Sequence, residues 1–379
     1  MCIIHACFFI VWIFCCLEMT IGLVNRRAGR FKMSDGSAMR LFLSLGQEFV
    51  RVRPLFVHEA STMQTLRYPN GDTMPMIGLG TWKSAPGEVY EAVKAAIALG
   101  YRHIDCALIY GNETEIGRAL SESLQSGVVT RDELWITSKL WNDSHAPKDV
   151  EAGLKQTLTD LQLDYLDLYL MHWPVAIKKG EGFPLTKEKL IGLEELPIAT
   201  TWQAMESLVQ AGLTRHIGVS NFSIAKLRSL LDTATIRPVM NQVELHPYLQ
   251  QTELLEFAQA QNVFLTGYSP LGSSDRPASL KAKDEPVLLE DPTIVEIADR
   301  HQATPAQVLI RWAMQRGTAV IPKSVNPARI EQNLAAAQLT LTDEDMAAIA
   351  ALDRHRRYVD GSIWVVEDGP YTLANLWDE

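Results

Sequence analysis

The sequence predicts an α/β fold, a closed (β/α)8 TIM barrel with an N-terminal β-hairpin cap and a C-terminal substrate loop. Three observations predict it. Apolar, strand-like runs alternate with helical stretches from residue 77 to residue 336, the pattern of a parallel sheet covered by helices. The runs at 101–105, 134–139 and 166–172 end on Asp105, Lys139 and His172, and Tyr110 follows in the loop after the first. An acid, an amine, an imidazole and a phenol at strand ends place a proton-transfer site at the carboxyl end of a barrel. No Gly-x-Gly-x-x-Gly follows the first strand, which weakens an open doubly wound sheet. Gly78-Leu79-Gly80 is a fragment of that pattern and reads as close packing.

The elements follow in order. Leu66-Arg67-Tyr68 and Thr73-Met74-Pro75-Met76 flank Asn70-Gly71. Both central residues tolerate positive φ, so this is a hairpin, placed to cap the bottom of the barrel. The first strand spans 77–81 and its helix 87–99. The strand ending at Asp105 precedes a helix over 114–124, and the strand ending at Lys139 a helix over 148–161. After His172, a loop rich in Lys, Gly and Pro (175–196) leads to a helix over 201–210. Strands at 216–220, 239–244 and 264–268 alternate with helices at 224–231 and 252–261. Helices near 293–300 and 305–315 precede the eighth strand at 319–323, whose helix spans 327–336. An extra helix covers 343–352, and the tail from His355 reads as irregular. No repeat of 20–50 residues is present.

The bulk numbers narrow the function classes. The chain has 379 residues, 47% hydrophobic and 21% charged, enough for a large core. Its net charge is −10, and beyond residue 62 there are 28 basic against 41 acidic residues. A body so acidic excludes nucleic acid as a partner, and any anion must be held by a local cationic cluster. Cys2, Cys7, Cys15 and Cys16 lie in the first sixteen residues and Cys106 stands alone afterwards. No disulfide framework is available to the main domain, which fits a reducing, cytoplasmic setting. Cys106 follows Asp105 but reads as a small buried filler, not a nucleophile.

Two regions are expected: an N-terminal extension, 1–62, and the barrel, 63–379. The extension opens with an apolar run, Ala6 to Leu17, that is short for a membrane span. It lacks the basic start and cleavage site of a signal peptide. Arg26, Arg27 and Arg30 follow, so an anchor would leave the barrel on the cytoplasmic side. The segment 26–58 is weakly like an organellar transit peptide. A start at Met33 or Met63 would make the extension dispensable. A membrane is a partner only if the apolar run is real; otherwise a monomer is expected.

The strand ends read in order Thr81-Trp82, Asp105, Lys139, His172, Ser220-Asn221, Gln242, Tyr268-Ser269 and Lys323-Ser324. Polar groups recur at one end of every strand, which a ligand site needs and a stability-driven barrel does not. A free phenol, with a pKa of about 10, is a poor acid at neutral pH. Lys139 would bring Tyr110 down toward the working range, and Asp105 would hold Lys139 charged and aimed. His172 would hydrogen-bond a carbonyl. No metal-ligand spacing and no serine nucleophile elbow appear. A proton donor beside a carbonyl then needs a hydride donor, which points to a nicotinamide cofactor.

These residues carry a resemblance. Tyr101-Arg102-His103-Ile104-Asp105-Cys106-Ala107-Leu108-Ile109-Tyr110-Gly111-Asn112-Glu113, with Lys139 and His172 at their spacings, resembles the aldo-keto reductase superfamily. Leu166 to Pro174, Gln242 to Tyr248, Tyr268 to Ser273 and Ile321-Pro322-Lys323-Ser324 resemble its other signatures, in the same order over residues 63–360. The likeness is to the aldehyde reductase and aldose reductase branch. It implies reduction of an aldehyde or ketone by NADPH, with Asp105, Tyr110, Lys139 and His172 as catalytic tetrad and Tyr110 as general acid. It implies that Thr81, Trp82, Ser220, Asn221, Gln242 and Tyr268 meet the nicotinamide end of NADPH/NADP+. Ser269, Leu271, Ser273 and Ser274 would strap the pyrophosphate. Lys323, Ser324, Val325, Arg329, Gln332 and Asn333 would hold the adenosine phosphate. Lys323 and Arg329 also bracket a helix start, where free N–H groups favour phosphate. Trp82, Trp141, His172 and Trp173 would wall the substrate pocket.

The tail departs from the mammalian aldehyde reductase pattern. After Arg357 there is no arginine, only Asp360, Glu367, Asp368, Asp378 and Glu379 among charged residues. Sugar aldehydes or neutral carbonyls are therefore expected over carboxylated ones. Two alternatives use the same barrel: a Schiff-base aldolase with Lys139 as nucleophile, and a non-catalytic NADPH-binding regulatory subunit like the potassium-channel β subunits.

Overall fold

The computed structural model describes residues 64–277, 281 and 285–379. The expectations for residues 1–62 lie outside the described residues. Strands β1 (Thr65–Arg67) and β2 (Thr73–Pro75) form the hairpin around Asn70-Gly71, with Leu66 opposite Met74. Gly71 takes φ +94°, the left-handed conformation the turn requires. The barrel strands then begin with β3 (Leu79–Gly80), β4 (His103–Asp105), β5 (Trp135–Leu140) and β6 (Leu166–Met171). Helices α1 (Glu88–Leu99), α2 (Glu113–Gln125) and α3 (Pro147–Leu161) connect them. A small antiparallel pair follows, β7 (Ala176–Ile177) with β8 (Leu190–Ile191), inside the stretch expected to be a plain loop. Its two strands are too short to show alternation in sequence. Helix α4 (Ile198–Gln210) leads to β9 (Thr214–Ser220), α5 (Ile224–Thr233), β10 (Met240–Glu244), α6 (Thr252–Ala260) and β11 (Phe264–Tyr268). Helices α7 (Pro292–Arg300) and α8 (Pro305–Gln315) precede β12 (Ala319–Val320), and α9 (Pro327–Ala335) and α10 (Asp343–Ala350) follow it.

The eight long-sheet strands run parallel in the order β12-β11-β10-β9-β6-β5-β4-β3. The sheet also closes. Ile77 bridges Val320 and Gly80 bridges Lys323, with Gly78 N donating to Val320 O at 2.9 Å. Close approach explains the two glycines, Gly80 at the closing edge and Gly78 against β4. A Cβ at Gly80 would lie 2.5 Å from the Ile321 carbonyl, and one at Gly78 would lie 2.6 Å from the His103 ring. Strands β5, β6 and β10 are buried at every residue, as parallel strands covered by helices must be.

The hairpin seals the amino-terminal end of the barrel. Tyr68 stacks on Trp135 (5.3 Å) and His216 (4.9 Å) and meets Phe264 edge-on (5.2 Å), all near the starts of their strands. One end of the barrel is thus plugged, and ligand access falls to the other. Cys106 is wholly buried, and burial pushes its thiol well above the ordinary range, so it stays a neutral filler.

The tail is more ordered than its sequence suggests. It holds a 3-10 turn (Ser362–Trp364) and helix α11 (Leu373–Trp377). Trp364, Tyr371, Leu376 and Trp377 form a second small core with Trp173, Val175, Ile177 and Leu190. The Tyr371 hydroxyl donates to the Ile191 carbonyl (2.6 Å) and accepts from Ala176 N (2.9 Å). Because this core lies between tail and loop, neither segment carries a periodic apolar stripe by itself. Among the described residues no helix is long and apolar enough to cross a membrane.

Candidate active site

The barrel's open end holds a cavity of about 1030 Å³. Parallel register puts the strand ends at one level: Gly80 lies opposite Asp105, Asp105 opposite Thr137, Ser220 opposite Gln242 and Glu244 opposite Tyr268. Each of the expected site residues except Lys139 lines this cavity. Lys139 lies behind it, on a strand that runs one residue further, to Leu140.

At the cavity floor, Lys139 Nζ donates to Asp105 Oδ1 at 2.5 Å and to the Cys106 carbonyl at 2.8 Å, and lies 3.5 Å from the Tyr110 hydroxyl. Lys139 and Asp105 are each 1% exposed. The second Asp105 oxygen accepts from Gln242 Nε2 at 2.6 Å, so the carboxylate is held from two sides. Burial is the largest single influence and opposes the Lys139 charge, but the Asp105 carboxylate, Tyr110 and the hydrogen bond to Asp105 together raise the ammonium above its ordinary range. An amine held as ammonium has no lone pair for imine formation, which argues against the aldolase alternative.

Tyr110 corrects one expectation. Burial pushes the phenol above its ordinary range, and the opposing pull of Lys139 does not bring it down. Burial is the larger effect, and the Asp105 carboxylate, paired with Lys139, adds to it in the same direction. The phenol therefore keeps its proton at neutral pH. His172 is only 8% exposed; burial, then Lys139, then His145 hold its imidazole neutral, well below the usual range. Its Nδ1 is buried without a partner among the described residues, which leaves Nε2 as the ring nitrogen for a cavity ligand. The Tyr110 and His172 rings meet edge to face at 6.0 Å.

The neighbouring polar groups hold one another. Asn221 donates to the His172 carbonyl (3.0 Å) and accepts from the Tyr268 hydroxyl (2.7 Å). It sits at φ +64°, a conformation asparagine tolerates. Ser220 donates to the Gln242 carbonyl (2.7 Å), and Thr81 to the Asp105 carbonyl (2.8 Å). Elsewhere in the cavity lining, α9 begins with Asn326 capping the Arg329 N–H (3.1 Å). Lys323 donates to the Lys83 carbonyl (3.2 Å), and among the described residues no carboxylate pairs with Lys323 or Arg329. Unpaired cations beside a capped helix start fit an anionic group.

Several cavity residues carry no sequence signal. Lys83 reaches 192 positions along the chain to pair with Asp275 at 2.7 Å. Phe183 comes from the loop after β6 and packs on Trp364 at 5.7 Å. Trp364 also meets Trp141 (5.9 Å) and Trp173 (5.6 Å), so this part of the cavity is walled by aromatic rings. Of the tail acids only Asp360 lines the cavity. Asp378 pairs with Lys226 (2.7 Å), Glu379 with Arg357 (2.9 Å) and Asp368 with Lys187 (3.7 Å). The expected acidic field at the mouth reduces to one carboxylate.

Residues 76–354 match the model of the aldo/keto reductase family. The chain belongs to that family. An aldo/keto reductase of Synechocystis sp. is 57% identical over 319 residues, covering 84% of this chain and 98% of its own. Human aldo-keto reductase family 1 member A1 is 50% identical over 291 residues, covering 76% and 89%. The aldose reductase structure from Schistosoma japonicum superposes with a TM-score of 0.73 at 41% identity, covering 80% of this chain and 96% of its own. This aldo/keto reductase is therefore an enzyme of an NADP-dependent oxidoreductase family that acts on small carbonyl compounds. The cavity fits such a cofactor: polar Ser220, Asn221 and Gln242 and the cations Lys323 and Arg329 line it together with Tyr110.

Proposed function

We propose that this reductase uses NADPH to reduce neutral or sugar aldehydes to alcohols, with Tyr110 as general acid. The observation that carries the reading is the buried Asp105–Lys139 pair set 3.5 Å behind a phenol that faces an aromatic cavity. A bound nicotinamide supplies hydride to the carbonyl carbon. His172 Nε2–H holds the carbonyl oxygen, and Tyr110 gives that oxygen its proton as negative charge develops there. Lys139 stabilises the phenolate left behind, and Asp105 keeps the ammonium aimed. Ser220, Asn221, Gln242 and Tyr268 would orient the carboxamide and ring of the nicotinamide; Thr81 and Trp82 would flank it. Ser269, Leu271, Ser273 and Ser274 would cover the pyrophosphate. Lys323, Ser324, Val325, Arg329, Gln332 and Asn333 would take the adenosine phosphate. Trp82, Trp141 and Trp173 would contact the substrate.

NADPH oxidation followed at saturating cofactor tests the reading. The wild-type enzyme is expected to show a higher kcat/KM for glyceraldehyde or an aromatic aldehyde than for glucuronate. No Lys or Arg lies in the tail to pair with a substrate carboxylate, and Asp360 faces the same cavity. A clear preference for glucuronate would refute the substrate class while leaving the chemistry standing.

Cofactor choice rests on Lys323 and Arg329, with no acidic residue between 324 and 330. Such a site suits a 2′-phosphate over a bare ribose hydroxyl. Arg329→Ala should weaken NADPH by roughly 10–100-fold, the worth of one charge-assisted contact, and barely change NADH. Equal losses for both, measured by fluorescence titration, would overturn the assignment.

The barrel is proposed to need nothing before Met63. The hairpin supplies its cap, and Tyr68 stacks on Trp135 at the bottom of the barrel. A chain starting at Met63 should be soluble and as active as the full chain. Insolubility or lost turnover would show that the extension packs on the barrel.

A further inference from the structure

The motif from Gln242 to Tyr248 contributes only Gln242 to the site described above. Two of its other residues, Glu244 and His246, are buried at 1% and 0% exposure. His246 Nε2 lies 2.8 Å from Glu244 Oε1, and His246 Nδ1 has no partner among the described residues, so Nε2 is the donor. The same carboxylate accepts the backbone N–H groups of Tyr358 (2.6 Å) and Val359 (2.7 Å). No lysine or arginine among the described residues pairs with Glu244. A carboxylate this deeply buried persists only where donors fill it. Here two of its three donors are backbone amides of the tail, at Tyr358 and Val359, which also line the cavity. Carboxylate and tail backbone satisfy each other at one position, and a displaced tail would leave a buried charge unfilled.

Tyr358 carries that position further. Its hydroxyl donates to the Pro286 carbonyl at 3.0 Å, and its ring packs on His246 at 4.8 Å. The Arg276 guanidinium lies over the same ring at 4.8 Å. A Cβ at Gly272 would lie 3.5 Å from the ring edge. Pro286, Arg276 and Gly272 all belong to the segment after β11 that bears Ser269, Leu271, Ser273 and Ser274.

We propose that Glu244 and His246 form a buried latch that positions the tail over the carbonyl end of the cavity and, through Tyr358, the strap over the cofactor end. Glu244 is then a specificity-positioning residue that touches neither ligand. The assignment of the two cavity ends rests on the functional reading above. In Glu244→Gln the amide presents an N–H₂ where one backbone N–H needs an acceptor, so the tail loses its register.

The test compares a small and a bulky substrate in that variant. KM for 2-naphthaldehyde, bulky enough to depend on the aromatic wall that includes Trp364, should rise about tenfold, while kcat/KM for propanal stays within about twofold. Amide exchange of residues 358–364 should accelerate, and stopped-flow NADPH release should quicken by about threefold or more. Equal changes for both aldehydes, or tail exchange as slow as in the wild type, would overturn the latch. A second variant, Tyr358→Phe, removes only the bond to Pro286. It should speed NADPH release while the Val359 amide stays protected, and unchanged release would break the link between tail and strap. Exchange is read without turnover, so a wild-type enzyme inert toward carbonyls would sink the functional reading and still leave the latch to be judged.

Discussion

Tyr110→Phe should abolish most carbonyl reduction while leaving cofactor affinity near that of the wild type. The phenol is the group whose environment keeps a proton at neutral pH and sets a cation 3.5 Å away to receive the resulting charge. Loss of a general acid typically costs on the order of 10²–10⁴ in kcat. The ring still packs: it meets the His172 ring at 6.0 Å and Trp82 at 6.4 Å, and neither contact uses the hydroxyl. The aromatic wall of the cavity should therefore survive, and the loss should appear in kcat with KM little changed. A single-turnover measurement isolates the chemical step from product release. If the variant kept about a fifth of wild-type turnover with chemistry limiting, the acid would be another group, since general acids contribute far more than that. Because burial outweighs Lys139 at this phenol, the acid limb should lie on the alkaline side of neutrality: turnover falls as the phenol loses its proton, not as pH drops from 7 to 6.

The barrel and the strand-end site were legible because each rests on local grammar. A parallel strand buried on both faces reads as an apolar run, and the polar residue that ends it marks the open end of the barrel. Asp105, Lys139 and His172 stand out on that ground alone, and Asn70-Gly71 marks its hairpin by φ tolerance. What escaped depends on partners far apart in sequence. The Lys83–Asp275 pair spans 192 positions, and nothing near either residue announces the other. The tail's order comes from Trp364, Tyr371 and Trp377 packing on Trp173 and Ile177, a core that exists only once the loop after β6 is in place. The ion pairs of Asp378 and Glu379 similarly remove charges that sequence alone assigns to the cavity mouth. The direction of the Tyr110 shift also needed three dimensions. Distance fixes how much of the Lys139 charge reaches the phenol, and sequence spacing does not.

Lys139→Met should cost both activity and stability, and the two losses should separate in a second variant. Methionine fills the lysine's path but leaves Asp105, 1% exposed, with Gln242 as its remaining side-chain donor. Removing one partner of a buried ion pair typically destabilises by about 3–5 kcal/mol, because the other charge is stranded. Denaturant unfolding should show a loss of that size. Turnover should also fall, since the phenolate at Tyr110 loses the cation that stabilises it. In Lys139→Met with Asp105→Leu the stranded charge is gone, and replacing both partners of a buried pair by apolar groups is often close to neutral. That double variant should regain most of the stability and none of the activity. Recovery of turnover along with stability would mean that Lys139 serves the fold alone and the phenol needs no cation beside it. A single variant as stable as the wild type would mean that Asp105 is not held as a carboxylate, and the charge assignment on which the proton transfer rests would fail.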